Sequence, residues 1–305
     1  MARFRARYAL GAIIIILIIA LAIGAYCFTR SSTYALHGAR YLAGPFQSRA
    51  LYEMDWRGPK EVTLPVPGHV IDYARENGHE AALAQADDAT SVYRIEQGTA
   101  AKLVSDAAVK SSIDISWDGT QVAYAERIAT TSASTTPIAF YAPHDWEIML
   151  LGPDDAAPRS LGSGFAPHFF TKDGTQYLAY TVDTGLHIVE LATNTHQDIP
   201  LDRGAQPDGF FTVAVSPDGM YAAVPAASAS WLLFSLDLDS SGVFTLAPAG
   251  KLPPYTNTVA FSGSRILATA GNSAETLLRL LPLSAPDTVV YGTAFPYTQV
   301  YKVIP

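Results

Sequence analysis

Hydrophobic positions in this chain follow two patterns. From Tyr8 to Phe28 they form one unbroken run, YALGAIIIILIIALAIGAYCF, without a charge or a proline. Beyond it they come in short stretches rich in Tyr, Val, Ile, Leu and Phe, separated by Gly, Pro, Asp and Ser, with little helical periodicity. Short apolar runs of about four to eight residues bounded by such turns read as β-strands. The first pattern predicts one apolar helix, and the second an all-β domain.

The turns carry the regularity of the β region. Asn77-Gly78, Asp118-Gly119, Asp173-Gly174 and Pro217-Asp218-Gly219 each lie between two apolar runs, and Asn-Gly and Asp-Gly are strong hairpin formers because they accept positive φ at low cost. A weaker fifth copy is FSGSR (261–265), aligned with Ser262 on Ser216 and Arg265 in the place of Gly219. Positions 78, 119, 174, 219 and 265 are 41, 55, 45 and 46 residues apart. A period near 45 with about four strands per unit predicts a β-propeller, one unit per blade.

Three copies show the unit best, SIDISWDGTQVAYAER (112–127), HFFTKDGTQYLAYTV (168–182) and FTVAVSPDGMYAAVPA (211–226), each an apolar strand, a turn and a second strand. Where that second strand is rich in Ala, neighbouring sheets pack closely. Third strands are expected at 91–97, 145–151, 185–191, 230–236 and 275–281. One period before Gly78, ARYLAG, ALYEMDW and KEVTLPV supply second, third and fourth strands without a first, while FPYTQVYKVIP (295–305) is a lone strand at the far end. Its pairing with the first unit would close a ring of six blades, seven being the alternative count, and remove exposed sheet edges.

The Ser216-Pro217-Asp218-Gly219 turn followed by MYAAV, with third strands such as LYEMD (51–55), resembles the TolB-like family of WD-repeat-related propellers. The resemblance covers residues 38–305 and implies a six-bladed exported propeller that binds other proteins or cell-envelope components. That family's α/β domain ahead of the propeller has no counterpart here, where an apolar segment stands instead.

At about 1.5 Å per residue a helix over 8–28 spans a hydrocarbon core of about 30 Å. Arg3, Arg5 and Arg7 favour a cytoplasmic N-terminus. A cleaved export signal competes with this reading, but its apolar core is usually only about 7–15 residues. Lipid attachment at Cys27 is a further alternative, poorly matched by the Gly-Ala-Tyr before it. The expected organisation is a basic N-terminus (1–7), a transmembrane signal-anchor helix (8–28), a short linker (29–38) and a propeller (39–305). Such a protein would lie in the plasma (inner) membrane as a single-pass chain with its propeller extracytoplasmic.

Residues 1–28 hold three arginines and no acid, so the remainder carries a net charge of −11, against −8 for the whole chain. An acidic domain has no general electrostatic footprint for nucleic acid. Cys27 is the sole cysteine, so the β domain has no internal disulfide and no Cys-ligated metal. No Gly-x-Ser-x-Gly elbow occurs, Ser163 in Gly162-Ser163-Gly164 reads as a blade connection, and His79-Glu80 lacks the second His of a zinc-protease helix. Asp237-Leu-Asp239-Ser-Ser241-Gly242 imitates the start of a calcium loop, but its twelfth position is Pro248 and a strand follows, so a hairpin turn is the better reading. The seven histidines are scattered, although a propeller gathers distant side chains at its axis.

No catalytic residue, metal or cofactor is therefore expected. The longest departure from the period lies in IATTSASTTPIAFYAPH (128–144), between second and third strands. Extended loops on a rigid scaffold concentrate function. Phe140, Tyr141, His144 and Trp146 are the candidate partner-binding residues, against the alternative that the segment caps the ring and Trp146 begins a buried strand. The leading expectation is a membrane-anchored, non-enzymatic scaffold for an envelope protein, peptide or glycan. The alternative is a propeller enzyme with an axial site, such as a glycan lyase, lactonase or phosphoesterase, and the contents of the axial cavity discriminate the two.

Overall fold

A computed structural model describes residues 36–44, 49–55, 58–87, 89–128, 143–201, 213–226, 230–271, 276–295 and 300–305, together with Ile19. Among these residues no helix is long and apolar enough to cross a membrane, and the predicted anchor, Ile19 apart, lies outside them.

The described chain folds into six four-stranded antiparallel sheets. Blade 1 contributes β1 (Arg40–Ala43), β2 (Ala50–Asp55) and β3 (Gly58–Val62). Blade 2 follows with β4 (His69–Glu76), β5 (His79–Ala86), β6 (Ala89–Glu96) and β7 (Thr99–Asp106), and blade 3 with β8 (Lys110–Ile115), β9 (Val122–Arg127), β10 (Trp146–Leu151) and β11 (Arg159–Ser163). Blade 4 is β12 (Phe165–Lys172), β13 (Thr175–Val182), β14 (Gly185–Glu190) and β15 (Thr195–Pro200). Blade 5 is β16 (Ala214–Val215), β17 (Tyr221–Ala226), β18 (Ser230–Leu238) and β19 (Phe244–Lys251), and blade 6 is β20 (Thr256–Ser262), β21 (Arg265–Gly271), β22 (Thr276–Pro282) and β23 (Tyr291–Phe295). The last strand, β24 (Val300–Ile304), returns to blade 1 and pairs with β1, Arg40 opposite Ile304 and Leu42 opposite Lys302.

This is the six-bladed closure expected from the repeat, with two corrections. Phe295 does not belong to the closing strand: it pairs with Thr276 as the end of β23, the fourth strand of blade 6. The fifth turn also differs from its alignment. Ser262 and Arg265 are cross-strand partners, so the turn is Gly263-Ser264, the residue at positive φ is Gly263, and Arg265 opens β21. Leu36, inside the expected linker, is already buried against Tyr41 and Leu278, three residues ahead of the predicted boundary.

Two turn designs join first and second strands. Asn77-Gly78 and Asp173-Gly174 hold both residues at positive φ, the two-residue hairpin geometry matched to strand twist. In Ser216-Pro-Asp-Gly219 the Ser216 hydroxyl donates to Asp218 at 2.6 Å and accepts from Tyr221 N at 2.9 Å, while Gly219 N donates to the Ser216 carbonyl at 2.8 Å. Ser116-Trp-Asp-Gly119 repeats each bond, with Trp117 in the place of proline. Proline is not required for these bonds, which Trp117 leaves in place.

The core lies between blades. Ala123, Ala125, Ala179, Ala222 and Ala223 on the second strands are buried, and the larger Trp146, Tyr41, Tyr73, Tyr124 and Tyr180 fill the gaps between sheets. Between blades 4 and 5, Phe170, Tyr177 and Phe244 form a triad with centroids 5.0 to 5.8 Å apart. Burying each such ring contributes roughly 1.5–3 kcal/mol. Gly219 presses on this triad: a Cβ there would stand 2.6 Å from the Phe170 ring.

Candidate functional site at the propeller axis

The innermost strands β24, β4, β8, β12, β16 and β20 surround a cavity of about 490 Å³. Five of them break register near one level, at Tyr301, Ile71, Ser112, Ala166 and Asn257. Ser112 and Ala166 hold positive φ of 46° and 53°. A bulge removes main-chain groups from the ladder and re-aims side chains, and such strain in non-glycine residues concentrates at functional sites.

The groups released by the bulges are taken up by long polar side chains. Arg49 donates to the Ile71 carbonyl at 2.7 Å, and its guanidinium lies 3.8 Å from the centroid of the Tyr301 ring. Lys302 on β24 pairs with Asp72 at 3.0 Å and donates to the Ile113 carbonyl at 2.8 Å. Asp72 in turn accepts from Ile113 N at 2.7 Å and Tyr73 N at 2.8 Å. One blade further, Asp114 accepts from Phe169 N at 2.7 Å. The same device therefore recurs: a carboxylate on one innermost strand holds a backbone N–H of the next.

This polar belt spans blades 1 to 4 and ends at His168. The facing wall is uncharged and mainly apolar, with Val213, Val215, Val259 and Phe261 from blades 5 and 6 beside Asn257 and Thr258. The cavity extends from Arg49 and Val213, at the end where the blade connections lie, to Glu76 and Pro217 near the hairpin turns.

Burial dominates the electrostatics. It pushes the Asp114 carboxyl up to about 6 against the opposing pull of Lys302. Burial and then the Asp114 charge push Glu76 up to about 7. His168 is held down to about 3, first by burial and then by Lys302, so at neutral pH it is a neutral imidazole. Among the described residues no group of three or more His, Cys, Asp or Glu is arranged to hold a metal ion.

Of the candidates from the long loop, neither His144 nor Trp146 lines this cavity. Phe140 and Tyr141 lie outside the described residues. His144 sits in a 3-10 turn, Pro143–Asp145, with its Nδ1 2.8 Å from Asp183, both side chains being exposed. Trp146 is buried at the head of β10, its ring 5.3 Å from Phe165, as in the alternative reading of a buried strand, and it offers no surface to a partner. Asp239 accepts from Ser241 N and Val243 N at 2.8 and 3.0 Å, which makes the calcium-like segment a hairpin turn.

Sequence reasoning missed Asp72, Asp114, His168, Arg49 and Lys302, which are spread over more than 250 positions. Asp114 and His168 sit at matched positions of their first strands, and that alignment was the available clue.

The architecture is that of a six-bladed propeller with an axial cavity charged on one arc and apolar on the other. Its fold is shared with TolB of Acinetobacter baumannii, at a TM-score of 0.59 and 12% identity over 87% of this chain, which spans 65% of the length of that one. It is also shared with the β-propeller domain of Cps50 (Swd1) from Myceliophteria thermophila, at a TM-score of 0.55 and 15% identity over 85% of this chain and 83% of that one. No protein-family model matches the chain, and no curated protein matches it in sequence. The resemblance to TolB and WD-repeat propellers thus stands at the level of fold.

Proposed function

We propose that this chain is a membrane-anchored, extracytoplasmic binding scaffold that engages an envelope protein, peptide or glycan at the axial cavity. The observation that carries the reading is the cavity itself, of ligand size, with a fixed charged arc facing an apolar one. Pockets of roughly 300–1,000 Å³ combining apolar walls with a few placed polar groups are the usual form of a ligand site. Arg49, Lys302 and Asp72 are locked to neighbouring blades, so they meet a ligand without reorganising. Such preorganisation favours recognition.

The anchor rests on the apolar run 8–28 and the arginines before it. The described part of the propeller begins at Leu36, on the hairpin-turn end of blade 1, so a helix leading into it would turn that end toward the bilayer. The opposite end, with Arg49 and Val213 at the mouth, would then face outward.

A second reading, an enzyme with an axial site, is favoured by Asp114 and Glu76, whose raised values suit proton exchange near neutral pH. The two readings separate in native membranes. A photo-cross-linking residue at Asn257 should give a discrete adduct that Ala260→Trp, filling the cavity, abolishes. Adducts obtained only from an outer-strand position such as Thr195 would sink the axial assignment. Topology is tested with a cysteine at Tyr255, which is 66% exposed. It should react with an impermeant maleimide in intact cells, and failure there with labelling after lysis would refute the orientation.

A further inference from the structure

Outside the axis, the outer strands of blade 4 carry an ordered chain of imidazoles. His187 on β14 and His196 on β15 are diagonal cross-strand neighbours, because His187 pairs with Asp198 and Val189 with His196. His187 Nδ1 lies 2.6 Å from Asp198 Oδ1, and its Nε2 lies 2.9 Å from His196 Nδ1. Asn194 Nδ2 reaches His196 Nε2 at 3.2 Å, and Arg159 of blade 3 donates to Asn194 Oδ1 at 2.8 Å. The Tyr180 ring, 4.7 Å away by centroids, backs His187 and limits its rotation.

With both rings neutral, these partners permit one proton order. Asn194 donates to His196, His196 Nδ1–H donates to His187 Nε2, and His187 Nδ1–H donates to Asp198. Two nitrogens then aim at each other across a gap bridged by one proton.

We propose that His187 Nε2 and His196 Nδ1 are the two protein ligands of an open site for a divalent transition metal ion of the zinc or copper kind. Zinc–imidazole bonds of about 2.0–2.1 Å in tetrahedral geometry set ligand nitrogens about 3.3 Å apart. From 2.9 Å the nitrogens need to part by about 0.4 Å, and because they now aim at each other the exposed His196 ring must also swing off that line for both lone pairs to meet at the metal. The His196 Nδ1–H bond breaks, its proton leaving to solvent as another is taken up at Nε2 in place of the Asn194 N–H, so one N–H bond is lost, one is formed and both imidazoles stay neutral. Asp198 supplies what metal-bound histidines generally require, a carboxylate on the other ring nitrogen that fixes the tautomer and raises ligand basicity. Imidazole selects zinc, copper and nickel over the oxygen-seeking magnesium and calcium. His196 is exposed, leaving the remaining positions to water or to a donor from another molecule.

The test is a titration of the purified full-length chain with zinc chloride, followed by calorimetry and by ring-nitrogen shifts of 15N-histidine. One ion per chain should bind, shifting His187 and His196 among the seven histidines. Both His187→Gln and His196→Gln should weaken binding at least 10-fold, and Asp198→Asn about 10- to 100-fold. Magnesium at the same concentration should leave the spectrum unchanged. Because His196 is exposed, His196→Gln keeps the fold, and unaltered zinc affinity in that variant would overturn the site. Shifts confined to the other five histidines would overturn it too. Unaltered affinity in Asp198→Asn would remove the part assigned to the carboxylate.

Discussion

The two arcs of the axial ring hold their blades together by different physics. In blades 1 to 4, Lys302, Asp72 and Asp114 each tie one innermost strand to the next through charge-assisted hydrogen bonds. In blades 5 and 6 the equivalent positions carry the uncharged Ala214 and Thr258, and neighbours such as Val215 and Phe261 contribute by burial. An apolar contact loses stability in proportion to the area removed. A charged pair in low dielectric costs most when one partner is left alone. The polar arc is consequently the rigid and unforgiving half, and the apolar arc the adaptable one.

The largest disruption should follow deletion of residues 300–305, which removes β24 and with it Lys302 and the closure of blade 1. Cooperative thermal unfolding should be lost and proteolysis accelerated, since β1 would be left as an unpaired edge beside exposed Tyr41 and Leu42. Undiminished protease resistance would break the closure argument. Next, Asp72→Ala strands Lys302 and should cost about 3–5 kcal/mol in urea denaturation, against about 2 kcal/mol for Val215→Ala in the opposite arc. Equal costs would erase the distinction between the arcs.

A smaller, signed effect comes from pH. Asp114 and Glu76, at about 6 and about 7, bind protons more tightly folded than unfolded, so they make stability fall as pH rises between about 4 and 7. His168, held near 3, works in the opposite sense: below the ordinary value of about 6.5 the unfolded imidazole takes a proton that the folded one refuses, so stability rises with pH there. Each proton is worth about 1.4 kcal/mol per pH unit. Two falling contributions outweigh one rising one, and a net fall is expected between pH 5 and 6.5. In Asp114→Asn/Glu76→Gln the slope from chemical denaturation should reverse, and an unreversed slope would refute the assignment of these carboxyls.

The same contrast explains what the amino-acid order reveals. Blades are local objects, each hairpin closed by Asn-Gly, Asp-Gly or Ser-x-Asp-Gly within one stretch of chain, and so the repeat, the blade count and the closing strand were legible. The axial site is not local. Asp72, Asp114 and Lys302 come from three blades, and their orientation depends on bulges at Ile71, Ser112 and Tyr301 that leave no mark in the hydrophobic pattern. The long loop drew notice because aromatic residues follow a Ser/Thr-rich stretch, yet Trp146 obeys the strand that begins with it and turns inward. The turn at 116–119 shows the reverse: it departs from Ser-Pro-Asp-Gly at Trp117, yet Ser116 and Asp118 bond to each other, to Gln121 N and to Thr120 N as Ser216 and Asp218 do to their counterparts.

His144 offers the smallest effect and a sharp discrimination. Its contact with Asp183 joins blade 3 to blade 4 as Lys302 joins blade 1 to blade 2, but both side chains are about half or more exposed, at 63% and 49%. Solvent screens such a pair, so His144→Ala should change stability by no more than about 0.5 kcal/mol. The pair lies at the end of the propeller where Arg49 opens the cavity, and Phe140 and Tyr141 precede it closely in the chain. If partner capture at Asn257 in native membranes falls in His144→Ala while the urea midpoint is unchanged, the binding surface extends outward from the polar arc onto the blade 3–4 rim. If capture is unchanged as well, recognition is confined to the cavity, and the loop residues contribute nothing through this contact.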